Sequence, residues 1–229
     1  MTLRQNISIC ISRAAISFML LLAWLPADAQ KLFRLEKDTI PMMRGFQVSF
    51  DVVGAAQLLL SDYGQYEAAA RLNLHDQWFP VVEIGYGKAD HAEDVVTGMA
   101  YKTQAPYFRA GVDFNLLKKK HQNNRLFAGF RYGYTSYKVD IWRQDFSDPV
   151  WMWPTHYDVR GVSCNQHWLE AVFGLDAQIV GPFHLGWSLR YRQRLLHKEG
   201  KLGNTWYVPG FGTQDSSNIG ATFNVIIDI

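Results

Sequence analysis

The chain has 229 residues, a net charge of +2 and two cysteines. That length allows one domain of ordinary size, and the near-neutral balance, with no basic run beyond Lys118 to Lys120, excludes a nucleic-acid-binding surface. Cys10 and Cys164 provide no disulfide framework; Cys10 lies in a segment expected to be removed, which leaves Cys164 as a lone thiol expected in a loop.

The N-terminus carries Arg4 and Arg13, an apolar run from Ala14 to Leu25, Pro26, and the small-x-small tripeptide Ala27-Asp28-Ala29 before Gln30. This is the order of a secretory signal peptide. The uninterrupted run is about a dozen residues, short of the roughly 20 a membrane-spanning helix needs. The predicted organisation is a signal peptide over 1–29, a periplasmic N-terminal segment over 30–44 and a barrel domain over 45–229.

Past the signal no apolar window is long enough for a helix to cross a bilayer, so any crossing falls to strands, which show period-2 alternation. Phe46, Val48, Phe50 and Val52 form the first apolar face, and Ala68, Ala70, Leu72 and Leu74 the second. Val82, Ile84 and Tyr86 follow, then Phe108, Ala110, Val112, Phe114 and Leu116. The fifth face is Ala128, Phe130, Tyr132 and Tyr134; the sixth is Leu169, Ala171, Phe173, Leu175 and Ala177. Phe183, Leu185, Trp187, Leu189 and Tyr191 make the seventh, and Ile219 to Ile229 the eighth. The predicted fold is all-β: an eight-stranded antiparallel up-and-down transmembrane barrel.

Three features favour an outward apolar face over a soluble, lipocalin-like barrel. Most segments reach the 9 or so residues a tilted crossing strand requires. The lysines sit almost entirely in loops, while the strands' polar faces mix arginines with carboxylates between glycines, as a narrow lumen of paired charges would. Connections alternate short (75–77, 118–124, 181–182) with long (88–104, 142–165, 198–217), matching periplasmic turns opposite external loops. The 61–65 connection is a short exception. Trp78, Tyr107, Tyr137, Trp142, Trp168 and Tyr191 are expected in interfacial girdles.

The runs Glu83-Ile84-Gly85-Tyr86-Gly87, Tyr107-Phe108-Arg109-Ala110-Gly111-Val112-Asp113, Arg131-Tyr132-Gly133-Tyr134, Trp168-Leu169-Glu170, Gly186-Trp187-Ser188-Leu189-Arg190 and Tyr207-Val208-Pro209-Gly210-Phe211-Gly212 carry a resemblance. The mature chain resembles an uncharacterised family, a domain of unknown function, of small outer-membrane β-barrels from Bacteroidetes-type bacteria. The likeness implies the barrel and its location, and no activity. The terminal Ile229 departs from the aromatic residue that commonly ends such barrels.

The firmest candidate site is the set of lumen charges Glu83, Arg109, Asp113, Arg131, Glu170, Asp176, Arg190 and Arg192. An eight-stranded interior is just wide enough for side chains to fill, so these are expected to plug the barrel with ion pairs. The loop with Trp151, Trp153, His156 and Tyr157 is the candidate surface for a partner or lipid, because exposed Trp and Tyr make interface hot spots. Residues 206–212 are expected to shape an external turn.

No catalytic set is expected: His156, His167 and His184 are far apart, and no serine sits in a nucleophile elbow. His91 with Asp90, Glu93 and Asp94 fits a solvated acidic loop better than a metal site. No cofactor or metal is expected. The expected role is a structural or partner-binding outer-membrane barrel, not an enzyme, with membrane lipid and an envelope protein as partners. A narrow pore and a lipid-modifying enzyme are the alternatives.

Overall fold

The structure, a computed structural model, describes residues 41–92, 97–119, 121–147, 154–198, 200, 205–213 and 215–229, with backbone alone over 144–147 and 154–156. The signal peptide over 1–29 and most of the segment over 30–44 lie outside the described residues. The elements are β1 (Met43–Asp51), α1 (Val52–Leu60), β2 (Tyr63–Leu74), β3 (Trp78–His91), β4 (Met99–Asn115), β5 (Arg125–Ser147), β6 (Pro154–Val180), β7 (Phe183–Lys198), β8 (Tyr207–Val208), β9 (Gly212–Thr213) and β10 (Ser217–Asp228).

Eight strands close into a barrel in the order β1-β10-β7-β6-β5-β4-β3-β2, with β8 and β9 forming a separate small hairpin. All neighbours are antiparallel. The seam runs from Gln47 opposite Asp228 to Asp51 opposite Asn224. Phe46 and Ile229 exchange backbone hydrogen bonds of 3.1 and 2.9 Å, so the last residue is tied into the wall.

Alternation sorts the side chains as the sequence pattern requires. On β5, Phe130 is 64% exposed while its neighbour Arg131 is 2% exposed. Val82, Ile84, Phe108, Leu169, Phe173, Leu189 and Phe223 face out with Phe130. So continuous an apolar band is far more than a water-soluble monomer exposes. It is what a bilayer requires, since a closed barrel also pairs its backbone groups within the wall. The barrel is a transmembrane one. Among the described residues no helix is long and apolar enough to cross a membrane.

The connections differ from the sequence reading in two ways. The first connection is not a short 61–65 loop: the chain leaves β1 through α1. Asp51 is its N-cap, the carboxylate accepting from the backbone N–H groups of Val53 (3.1 Å) and Gly54 (3.2 Å), and from that of Phe223 on β10 (3.2 Å). Three orphan donors draw on one side chain, which explains why the apolar run after Asp51 coils instead of extending. The second difference is that the long connections over 88–104 and 142–165 are largely strand. Their inward residues Ala89, Tyr101 and Cys164 are buried together with Tyr137 and Val139 of β5, and this gives the strands reason to continue beyond the apolar band. Cys164 therefore lies in β6 inside a core, not in a loop.

The opposite end is closed by tight turns. His75 and Asp76 both take positive φ (57° and 53°) as the central pair of a turn closed by the hydrogen bond from the Gln77 N–H to the Leu74 carbonyl (3.1 Å), within the three-residue connection between β2 and β3.

Candidate functional site

The lumen is built by parity. Each inward position is fixed by the pleat, and a large inward side chain tends to face glycine across the ladder. Tyr107 sits opposite Gly85, Arg131 opposite Gly111, Asp113 opposite Gly129 and Trp168 opposite Gly133. A Cβ at Gly85 would collide with the Tyr107 ring, and one at Gly133 with the Trp168 indole. The glycines between the strand charges leave the room in which those charges meet.

All eight residues of the expected charge network are buried inside the barrel. Glu83 lies at its centre, 3.0 Å from Arg109, 3.1 Å from Arg131 and 2.9 Å from Arg190. Glu170 lies 2.9 Å from Arg109 and 3.4 Å from Arg192, and accepts a 2.7 Å hydrogen bond from the Trp168 indole N–H. Asp113 pairs with Arg131 at 2.9 Å.

Two members were not in that set. Glu67 bridges Arg109 (2.5 Å) and Arg190 (2.9 Å), and Arg71 bridges Asp113 (3.2 Å) and Asp176 (2.6 Å). Both lie on the polar face that the alternation of β2 already assigns to the lumen. With them the network holds five arginines (71, 109, 131, 190, 192) and five carboxylates (67, 83, 113, 170, 176), so formal charge cancels. Cancellation matters because an unpaired ion in this setting costs several kcal/mol. Toward the turn end, Arg125 lies over the Phe79 ring (5.0 Å), and Asp228 meets His184 at 3.0 Å.

Above the charges the lumen is occupied by a feature the sequence reading placed elsewhere. The β8–β9 hairpin is not an external turn; it folds into the barrel, and Val208 and Phe211 are fully buried. Its carbonyls are held by wall residues: Tyr101 donates to Tyr207 O (2.6 Å), Arg109 to Gly210 O (2.6 Å) and Arg192 to Phe211 O (2.8 Å). Gly210, at φ +82°, lies against the Tyr107 ring where a Cβ has no space, and Phe211 meets Trp168 edge-on at 5.9 Å. Only glycine satisfies both the backbone angle and the approach.

The girdle assignment changes accordingly. Tyr107, Tyr137 and Trp168 share parity with Arg109, Arg131 and Glu170 and point inward; Trp142 lies in β5 beyond the apolar band. Tyr191 faces out as expected, and Tyr66, Tyr86, Tyr132 and Tyr134 are the outward tyrosines near the band's upper margin.

The candidate contact loop is placed only in part. Trp151 and Trp153 lie outside the described residues, as does the side chain of His156; Tyr157 is exposed on β6, opposite Arg143. His91 bonds to Asp62 (2.8 Å), not to a carboxylate cluster of its own loop, whose Glu93 and Asp94 lie outside the described residues. His167 faces outward against Tyr132, whereas His184 lies in the lumen, so these two do not meet. Among the described residues no three potential metal ligands cluster.

Fold and interior together define a small transmembrane β-barrel whose lumen is filled by paired charge and a re-entrant hairpin. The chain belongs to the family described as Domain of unknown function (DUF6048), whose model matches residues 9–228. No curated protein matches the sequence. Among solved structures, Neisserial surface protein A is similar at 10% identity and a TM-score of 0.44, covering 82% of this chain and 99% of that one. The Ail attachment invasion locus protein of Yersinia pestis is similar at 12% identity and 0.41, covering 81% and 99%. Acinetobacter baumannii CarO2 is similar at 11% and 0.38, covering 82% and 99%.

Proposed function

We propose that the protein is a bacterial outer-membrane barrel with a structural or partner-binding role, non-enzymatic, whose hairpins beyond the membrane band are its contact surface. The observation that carries this reading is the double filling of the lumen. A charge-cancelled network spans the middle, and the β8–β9 hairpin is hydrogen-bonded into the space above it. Meanwhile β5 and β6 run 23 and 27 residues, well past the 9–11 that span a bilayer, and carry the chain far out of the membrane. Short turns then lie in the periplasm and long hairpins outside the cell, where an envelope protein or lipid headgroups would be met.

Reconstitution into planar bilayers tests the closed lumen: the expected trace is silent, and steady ohmic steps in proportion to added protein would favour the narrow pore instead. Lipid A from a deletion strain should have an unchanged mass spectrum; a missing modification would restore the enzyme reading.

A further inference from the structure

The wall of the barrel has a gap. β1 stops at Asp51, opposite Asn224 on one side, and its last partner on the other side is Ala68. Both neighbours continue higher, β10 up to Ser217 and β2 up to Tyr63, each still paired on its far side. Residues 217–223 and 63–67 therefore have no strand between them. Open strand edges are excluded from hydrocarbon unless something covers them. Here α1 does, touching both β2 and β10.

The cover is asymmetric. Against β2 the fit is close: a Cβ at Gly64 would meet the Leu58 backbone N at 2.6 Å, and one at Gly54 would meet the Gln65 carbonyl at 2.7 Å. Against β10 a cleft of about 620 Å³ remains, with Ala56 and Leu60 of α1 on one wall and Ile219 and Ala221 of β10 on the other. The helix carries no charged residue, and Leu60 and Ile219 are 87% and 76% exposed. These apolar side chains lie at the margin of the membrane band, and Asp51, Gln57, Gln65 and Asn218 add polar groups to the lining of the same cleft.

The cleft ends inside on Arg192 and Tyr207. Arg192 has one carboxylate partner in the network: its Nε stands 3.4 Å from Glu170, whose same oxygen lies 2.9 Å from Arg109, while its Nη1 donates to the Phe211 carbonyl at 2.8 Å. Gly220 flanks the guanidinium, and a Cβ there would stand 3.0 Å from it.

We propose that this cleft binds a single-chain amphiphile from the bilayer, its alkyl chain between α1 and β10 and its anionic head on Arg192. The volume falls within the roughly 300–1,000 Å³ of small-molecule sites, and a guanidinium fork suits a carboxylate or phosphate. The site opens sideways and needs no channel through the barrel, so it stands whether or not the barrel conducts.

The test uses the refolded full chain in zwitterionic detergent with a dansylated undecanoic acid as probe. Expected is saturable fluorescence enhancement, displaced by dodecanoate and not by dodecanol, and weakened at least about tenfold by Arg192→Gln while Arg192→Lys stays within about threefold. Because Arg192→Gln also disturbs the ion-pair network, Ala56→Trp provides a second arm: it fills the cleft from an exposed helix position and should weaken binding to the same degree. Absence of saturable binding, equal displacement by dodecanol, or full binding by Ala56→Trp would each overturn the proposal.

Discussion

Two levels of the same wall have opposite chemistry. Within the apolar band β5 turns Phe130, Tyr132 and Tyr134 outward and Arg131 inward; a few residues higher the same strand turns Ser136 and Lys138 outward, with Tyr137 and Val139 buried inside. β4 repeats the inversion: Phe108 out and Arg109 in at the lower level, Gln104 and Lys102 out and Tyr101 and Ala105 in at the upper one. The pleat assigns faces and nothing else. What occupies each face depends on the solvent, lipid below and water above, so the upper part is packed like a soluble protein around the inserted β8–β9 hairpin.

The largest test of that difference is at the centre of the lower level. Glu83→Ala leaves Arg109, Arg131 and Arg190 sharing the remaining carboxylates in a place water does not reach. The expected loss is about 3–5 kcal/mol, read as a lower denaturant midpoint for unfolding from liposomes. Arg131→Ala, which strips Glu83 and Asp113 of one partner, should move the midpoint in the same direction. Unchanged midpoints in both would mean that the charges are hydrated and the lumen is not a closed ion-pair interior.

A paired substitution on one outward face tests the inversion itself. Phe130→Arg puts a charge into the hydrocarbon band and should cost about 2–4 kcal/mol. Lys138→Ala, on the same outward face of β5 above the band, should change stability by no more than about 0.5 kcal/mol. Equal effects at the two positions would erase the boundary between the levels.

Much of this arrangement is legible in the sequence. Alternation places Glu83, Arg109, Arg131 and Glu170 on inward faces because a one-residue slip would expose every charge to lipid. The same parity puts Tyr107, Tyr137 and Trp168 inside, yet the habit of assigning aromatic residues at strand ends to girdles sends them outward; parity is the stronger constraint. α1 was harder to see, since Val52-Val53 continues a strand pattern and the cap depends on Asp51 serving Phe223, which lies 172 residues away. The β8–β9 hairpin was illegible for the same kind of reason. Nothing local in Tyr207 to Gly212 says that Arg109 and Arg192 will take its carbonyls.

Arginine–carboxylate pairing also occurs outside the band, and there it should titrate. Asp76, in the β2–β3 turn, is ion-paired to Arg44, lies 2.8 Å from His121 and accepts from the Asn73 amide at 2.7 Å. Partial burial pushes its pKa up, but the hydrogen bonds from His121, Asn73 and Arg44, with the Arg44 charge, outweigh burial and hold it below the ordinary 3.8. A carboxyl depressed in the folded state adds stability that is complete above its unfolded pKa of about 3.9 and is lost as pH falls through the folded value. Asp76→Asn should therefore lower stability by about 1 kcal/mol at neutral pH and match the parent once the pH has fallen below the folded pKa of Asp76, where its carboxyl is protonated in the folded and the unfolded chain alike. Denaturant midpoints of the two proteins between pH 2 and 7 would show curves that converge on the acid side; curves that stay parallel would mean that the turn is held by its backbone, His75 and Asp76 in their left-handed conformation, and not by the charge.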